Sequence, residues 1–246
     1  MSTEFKLPTE VIDLPSKGLL YSEDSPLASG QVEIKYMTAK EEDILTNQTY
    51  MAKGIVIDKL LESLVVGNIN FDEMLIGDKN AILVGARILG YGKDYTFNYF
   101  GDKVTVDLTK LENKAINEEL FKNRTNEFDF QLPASGVNIT FKLLTHADEN
   151  AIEKEIEGLK KVHKEQTFDL ITRMKHTITS VEGERNQGKV REFVEKMLLA
   201  RDARALREYI REIQPDVDTK VQIEGGPEGG LDIPFGVTFF WPDAGV

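Results

Sequence analysis

Tyr95-Thr-Phe-Asn-Tyr-Phe-Gly-Asp-Lys-Val-Thr-Val-Asp-Leu108 alternates aromatic or β-branched side chains with polar ones on both sides of Gly101-Asp102. A period of two around a Gly–Asp turn is the pattern of a β-hairpin with one face buried. The sequence upstream of it, and the stretch from 145 to 213, has a helical period. The hairpin therefore decides the fold class: α+β, with short antiparallel hairpins combined with a helical block of several helices.

Upstream, Ile82, Ala86 and Leu89 share one helical face that Gly90 or Gly92 closes, and Asp78 reads as its N-cap. Ile55, Ile57, Leu60, Leu61 and Leu64 carry an earlier stripe as far as Gly67, and Thr38-Ala-Lys-Glu41 has the spacing of a capping box. Pro8, Pro15, Gly18, Pro26 and Gly30 stand too close together for a helix, so the beginning of the chain reads as an extended arm ending in a strand at 31–36. Within the arm, Leu14-Pro-Ser-Lys-Gly-Leu-Leu-Tyr21 sets apolar residues on both sides of a turn. Such a segment pins an arm to a surface, either its own domain or a neighbouring subunit, with Leu14, Pro15 and Lys17 as the contacts.

Downstream, 128–132 and 137–144 flank Pro133-Ala-Ser-Gly136 as a second hairpin, and 217–223 pairs with 231–241 as a third, interrupted at Pro234. Between these two hairpins, Thr145 caps a helix carrying Ile152, Ile156, Leu159 and Val162. Phe168, Ile171, Met174, Ile178 and Val181 continue the helical stripe, and Val190, Phe193, Val194 and Met197 resume it past Gly188. Ala203, Leu206, Ile210 and Ile213 lie about 180° out of phase with Met197, which predicts a kink or break near 199–202. The chain divides accordingly into an arm (1–36), a mixed helix and hairpin region (37–144), a helical block (145–213) and a C-terminal hairpin packing back on the rest (214–246). No internal repeat is legible at this level.

At 246 residues the chain builds a core without metal or disulfide staples. It has no Cys and three His, which excludes thiolate chemistry and supplies a metal centre poorly. The net charge of −12 is uneven: residues 153–212 hold 14 bases and 12 acids, and the remainder 16 bases and 30 acids. Such a chain is not drawn to nucleic acid as a whole. No stretch approaches the roughly 20 apolar residues of a spanning helix, and Met1-Ser-Thr-Glu-Phe-Lys6 lacks the plan of a signal peptide. The expectation is a protein that stays where it is made, without membrane insertion.

Gly183-Glu-Arg-Asn-Gln-Gly188-Lys189 matches the spacing of a phosphate loop, but Val190 replaces the Ser or Thr that helps hold magnesium, Glu184 adds negative charge, and 178–181 reads as helical. An interhelical loop is the simpler reading, and a nucleotide-binding enzyme the remote one. Arg201, Arg204, Arg207 and Arg211 make a basic stripe opposite Leu206 and Ile210. It is either a contact for an acidic partner surface or phosphate, or a solvated face balanced by Asp202, Glu208 and Glu212. Phe239, Phe240 and Trp241 alternate sides if the tail is a strand, so they are either covered on both faces or partly free to anchor a partner. No motif supports catalysis, and no catalytic, cofactor-binding or metal residue is assigned.

Leu14-Pro-Ser-Lys-Gly-Leu-Leu-Tyr21, Tyr36-Met-Thr-Ala-Lys-Glu-Glu-Asp-Ile-Leu-Thr46, Gly77-Asp-Lys-Asn-Ala-Ile-Leu83 with Arg87-Ile-Leu-Gly-Tyr-Gly92, Ala200-Arg-Asp-Ala-Arg-Ala-Leu-Arg-Glu-Tyr-Ile-Arg-Glu-Ile213 and Phe239-Phe-Trp-Pro242 together resemble the baseplate hub and hub-assembly protein family of T-even-type contractile-tailed bacteriophages. The resemblance covers nearly the whole chain. It implies a non-enzymatic structural or assembly subunit of the viral tail. Such a subunit is made in the host bacterial cytoplasm and binds other tail and baseplate proteins, either within the virion or as a transient assembly chaperone. Association into oligomers is left open. The resemblance also implies Cys pairs at the turns near 98–101 and 224–229. This chain has none, so its hairpins must rest on turn chemistry and on Tyr95, Phe97, Phe235 and Phe239.

Overall fold

The computed structural model describes residues 7–162, 168–223, 227, 229–233, 235 and 237–240. β1 (Thr9–Asp13) and β2 (Gln31–Lys35) pair antiparallel. α1 (Ala39–Leu45), α2 (Gln48–Ala52), α3 (Val56–Leu64) and α4 (Ile76–Tyr91) lead to the hairpin of β3 (Asp94–Tyr99) and β4 (Asp102–Asp107). β5 (Phe128–Gln131) and β6 (Asn138–Phe141) form the next hairpin, followed by α5 (His146–Val162) and α6 (Asp169–Thr177). β7 (Ile178–Val181) adds to β6, then come α7 (Gln187–Lys196), α8 (Ala200–Ile213), the short pair β8 (Lys220–Val221) and β9 (Leu231–Asp232), and α9 (Val237–Phe240). The fold is α+β, as the alternating periods require.

Several local expectations need correction. Asp78 is no N-cap: α4 starts at Ile76, and the Asp78 carboxylate is fully buried inside the first turn. The stripe at 178–181 is a strand, because its side chains bury against β6 once Thr177 ends α6. The third hairpin is short, and Phe239 and Phe240 sit on a helical turn. The predicted break does fall beside Leu199, which precedes α8.

Residues 9–108 and 128–233 follow one plan twice, a repeat that the sequence reading missed. Glu10↔Ile34 through Asp13↔Gln31 has the same register relative to its turn as Phe128↔Phe141 through Gln131↔Asn138. Each first strand runs into Leu-Pro-x-x-Gly, and the Leu14 N–H bonds the Gly30 carbonyl at 2.8 Å as Leu132 does the Val137 carbonyl at 2.9 Å. Each second strand leads into Lys-x-x-Thr-x-x-acid, with Lys35–Glu41 at 3.0 Å and Lys142–Asp148 at 2.6 Å. The strand is joined next by Val65 in one case and Ile178 in the other. A Leu-x-x-Asp helix follows, α4 or α8. The closing hairpins match in register, Asp94↔Asp107 with Tyr95↔Val106 against Lys220↔Asp232 with Val221↔Leu231. These units are drawn on different boundaries from the four regions that hydrophobic periodicity and turn residues suggest.

The repeats meet along one seam. Leu75 pairs antiparallel with Thr145, the His146 N–H bonds the Met74 carbonyl at 2.8 Å, and Asn80 Nδ2 bonds Asp216 Oδ1 at 3.0 Å. Gly77 allows this approach, since a Cβ there would lie 1.9 Å from the Pro215 carbonyl oxygen. One apolar cluster runs through both units, including Leu27, Ile34, Leu60, Phe141, Leu206 and Phe239.

The capping box of α1 forms as its spacing predicts, and Glu41 does more than cap. Its carboxylate accepts from Ser63 Oγ at 2.6 Å and from the Thr38 N–H at 2.9 Å, beside Lys35 Nζ. Burial opposes the charge, but the Ser63 and Thr38 hydroxyls and the Lys35 ammonium outweigh it and carry the carboxyl from 4.5 to about 2. A depressed acid pKa stabilises the fold above the unfolded value and loses that contribution as pH falls toward the folded one. Thermal melts of wild type should therefore drop between pH 4.5 and about 2, and Glu41→Gln should flatten that slope; equal slopes refute the assignment.

Candidate interaction surface

α8 buries Ala203, Leu206 and Ile213 and exposes Arg201, Arg204, Arg207 and Arg211, so the stripe read from spacing is a real face. Its charges are not equally available. Arg204 Nε holds Glu208 at 2.8 Å, and that hydrogen bond keeps the glutamate below the usual carboxylate range. Arg207 Nε bonds the Ala203 carbonyl at 3.1 Å. Arg207 and Arg211 line a groove of about 800 Å³ together with Lys114, Lys220, Asp216, Asp218 and Asp232. Planar guanidinium groups on a rigid helix suit carboxylates of a protein partner.

Asp202 is not exposed on this face, although the Arg201 charge is among the influences that favour its ionised form. It is wholly buried, accepting from the Ala134 N–H at 2.6 Å and the Ser135 N–H at 3.1 Å in the turn between β5 and β6. Burial opposes its charge, yet the Ser135 and Ala134 hydrogen bonds win and hold it below the usual carboxylate range. Its counterpart Asp78 accepts from Ser16 N–H at 2.9 Å, Ser16 Oγ at 2.6 Å and Tyr21 Oη at 2.5 Å. There burial dominates and raises the carboxyl. Each aspartate latches a Leu-Pro turn to the helix that follows it in the repeat, and the sequence gives this away only as two Leu-x-x-Asp helix starts.

That latch settles the N-terminal arm. Leu14 and Pro15 are buried against the chain's own core, which removes them as partner contacts; Lys17 stays exposed in a left-handed conformation (φ 52°) and pairs with Glu118 at 2.5 Å. Phe239 and Phe240 are likewise buried, because a helical turn can present both rings to one wall where a strand cannot. Trp241 lies outside the described residues. The aromatic group expected to hold the hairpins is assembled: Tyr95 stacks on Phe97 at 5.6 Å, and Phe239 meets Tyr95 and Phe235 at 5.1 Å each. Arg87, which no motif marked, lies behind it. Its guanidinium is bound by the carbonyls of Phe239, Gly92 and Asp94 at 3.2, 3.1 and 3.3 Å.

The loop at Gly183 follows a strand and precedes a helix, but it is closed on itself. Val181 and Glu184 exchange backbone bonds at 3.0 and 2.8 Å, Lys189 Nζ is paired with Glu184 at 2.6 Å, and the Lys189 N–H bonds Asn186 Oδ1. A phosphate cradle needs those N–H groups turned outward. Among the described residues, no group of three His, Asp or Glu is placed to hold a metal ion, and no helix is long and apolar enough to cross a membrane. Comparison with known protein families, curated proteins and solved structures finds no match.

Proposed function

We propose that this chain is a non-enzymatic structural or assembly subunit of a phage tail baseplate hub, acting by protein–protein binding during tail assembly in the host cytoplasm. The observation that carries the reading is where the resembling blocks meet. Ser16 and Tyr21 of the first block close on Asp78 of the third, and Arg87 of the third holds the Phe239 carbonyl of the last. Residues of the first, third and last blocks join the fold in this way, while the arginine face of the block at 200–213 stays on the surface.

The test is Arg204→Glu combined with Arg207→Glu. Both side chains are exposed, so the variant should melt like wild type while tail assembly falls at least about tenfold, the equivalent of losing one charged contact. Assembly at wild-type level would reduce the stripe to a solvated face. Mass analysis of purified virions then separates a resident subunit from a chaperone that leaves.

A further inference from the structure

The seam between the repeats is lopsided. The first repeat contributes its Met74-Leu75-Ile76 edge, and the second receives it on Leu144-Thr145-His146. A twofold relation would also set Leu199, the counterpart of Leu75, against Thr38, the counterpart of Thr145. No such pairing exists among the described residues. The contact is head to tail, the kind that leaves one unused edge at each end.

The free leading edge carries exposed Leu199 and Ala200, and the free receiving edge is half-buried at Met37 and Thr38 and exposed at Ala39. Leu75 is 3% exposed inside the seam, whereas its counterpart Leu199 is 49% exposed with Met197 beside it at 56%; Leu198, the counterpart of Met74, is half-buried against the core. Large apolar side chains are seldom left so open beside each other. The Ala200 N–H and Leu198 carbonyl, standing where the Ile76 N–H and Met74 carbonyl do, make no hydrogen bond outside α8 among the described residues. The same holds at the other end for the Met37 carbonyl and the Ala39 N–H, on the segment entering α1. The charges also complement one another: Arg201 and Arg204 follow the free leading edge, and the exposed Glu42 and Asp43 follow the free receiving edge.

We infer that these two edges join copies of this chain, the leading edge of one docking on the receiving edge of the next. Arg201 stands where Gly77 lets α4 close on Pro215, so the joint between copies turns Arg201 and Arg204 toward Glu42 and Asp43 instead of repeating that close approach. The assembly grows past a dimer and loosens with salt. This inference does not depend on the baseplate reading, because self-association is measured on the purified chain alone.

The experiment is light scattering of the full chain between about 1 µM and 1 mM, a range that spans weak to moderate association. Wild type should rise above twice the monomer mass. Leu199→Asp spoils only the leading edge and Ala39→Arg only the receiving edge, and both sites are exposed. Each variant should be monomeric alone, and an equimolar mixture should form a dimer and nothing larger. Circular dichroism melts verify that both are folded, with Met197→Glu replacing Leu199→Asp if the latter melts early. A monomeric wild type, a Leu199→Asp variant of wild-type mass, or a mixture that stays monomeric overturns the inference.

Discussion

Phe239→Ala is expected to destabilise the fold by about 3–5 kcal/mol, the range for deleting a fully buried aromatic ring. The ring is 0% exposed, with Tyr95 and Phe235 at 5.1 Å and Phe240 at 5.7 Å. None of these neighbours is free to collapse into the hole, since Tyr95 is fixed in a ladder and Phe240 is buried beside it. The loss extends to Arg87, whose guanidinium relies on carbonyls and on the faces of Tyr91 and Tyr95, at 5.2 and 5.9 Å, for its stabilisation. Loosening α9 removes one of those carbonyls and leaves a buried cation short of a partner. Urea denaturation measures the effect. A change below about 1 kcal/mol would mean that α9 is only a surface attachment.

Asp202→Asn should cost about 2–3 kcal/mol by the same measurement, although the side chain keeps its size. The aspartate receives two backbone N–H groups with two oxygens; an amide offers one oxygen and turns its own donors toward the other N–H. The two latches also respond to acid in opposite directions. Asp202 lies below the unfolded value, so its contribution is present above that value and fades as pH falls. Asp78 lies above it, so its contribution is full below the unfolded value and fades as pH rises through the folded one. Asp202→Asn should reduce the loss of stability toward acid, leaving the part that Glu41 supplies, and Asp78→Asn should reduce the loss of stability toward higher pH. Unchanged pH profiles in both would refute the latches.

The elements legible in the sequence were those that local chemistry decides. The hairpin at 95–108, the capping box at Thr38, the cap at Thr145 and the break before α8 all announce themselves within a dozen residues. The tail did not, because aromatic and β-branched residues favour a strand locally, whereas the wall formed by Tyr95, Arg87 and α4 accepts both rings of a helical turn. The arginine face was legible as a face, but the fate of Asp202 within it depended on a turn far away in the chain. The repeat was hidden for a related reason: identical residues are confined to a few short motifs, the core positions between them share a role and not an identity, as with Ile34 and Phe141, and the unequal connections shift the spacing along the chain.

Carrying one strand–turn–strand plan twice sets the unfolded chain a choice of mates, since β1 could zip onto β6 as readily as onto β2 by turn chemistry alone. The side chains forbid the exchange. It would strip Phe128 of the Phe141 ring that it meets across the ladder at 5.4 Å. The divergence that conceals the duplication thus also steers the folding chain away from a kinetic trap, giving each half an address that only its own partner strand can read.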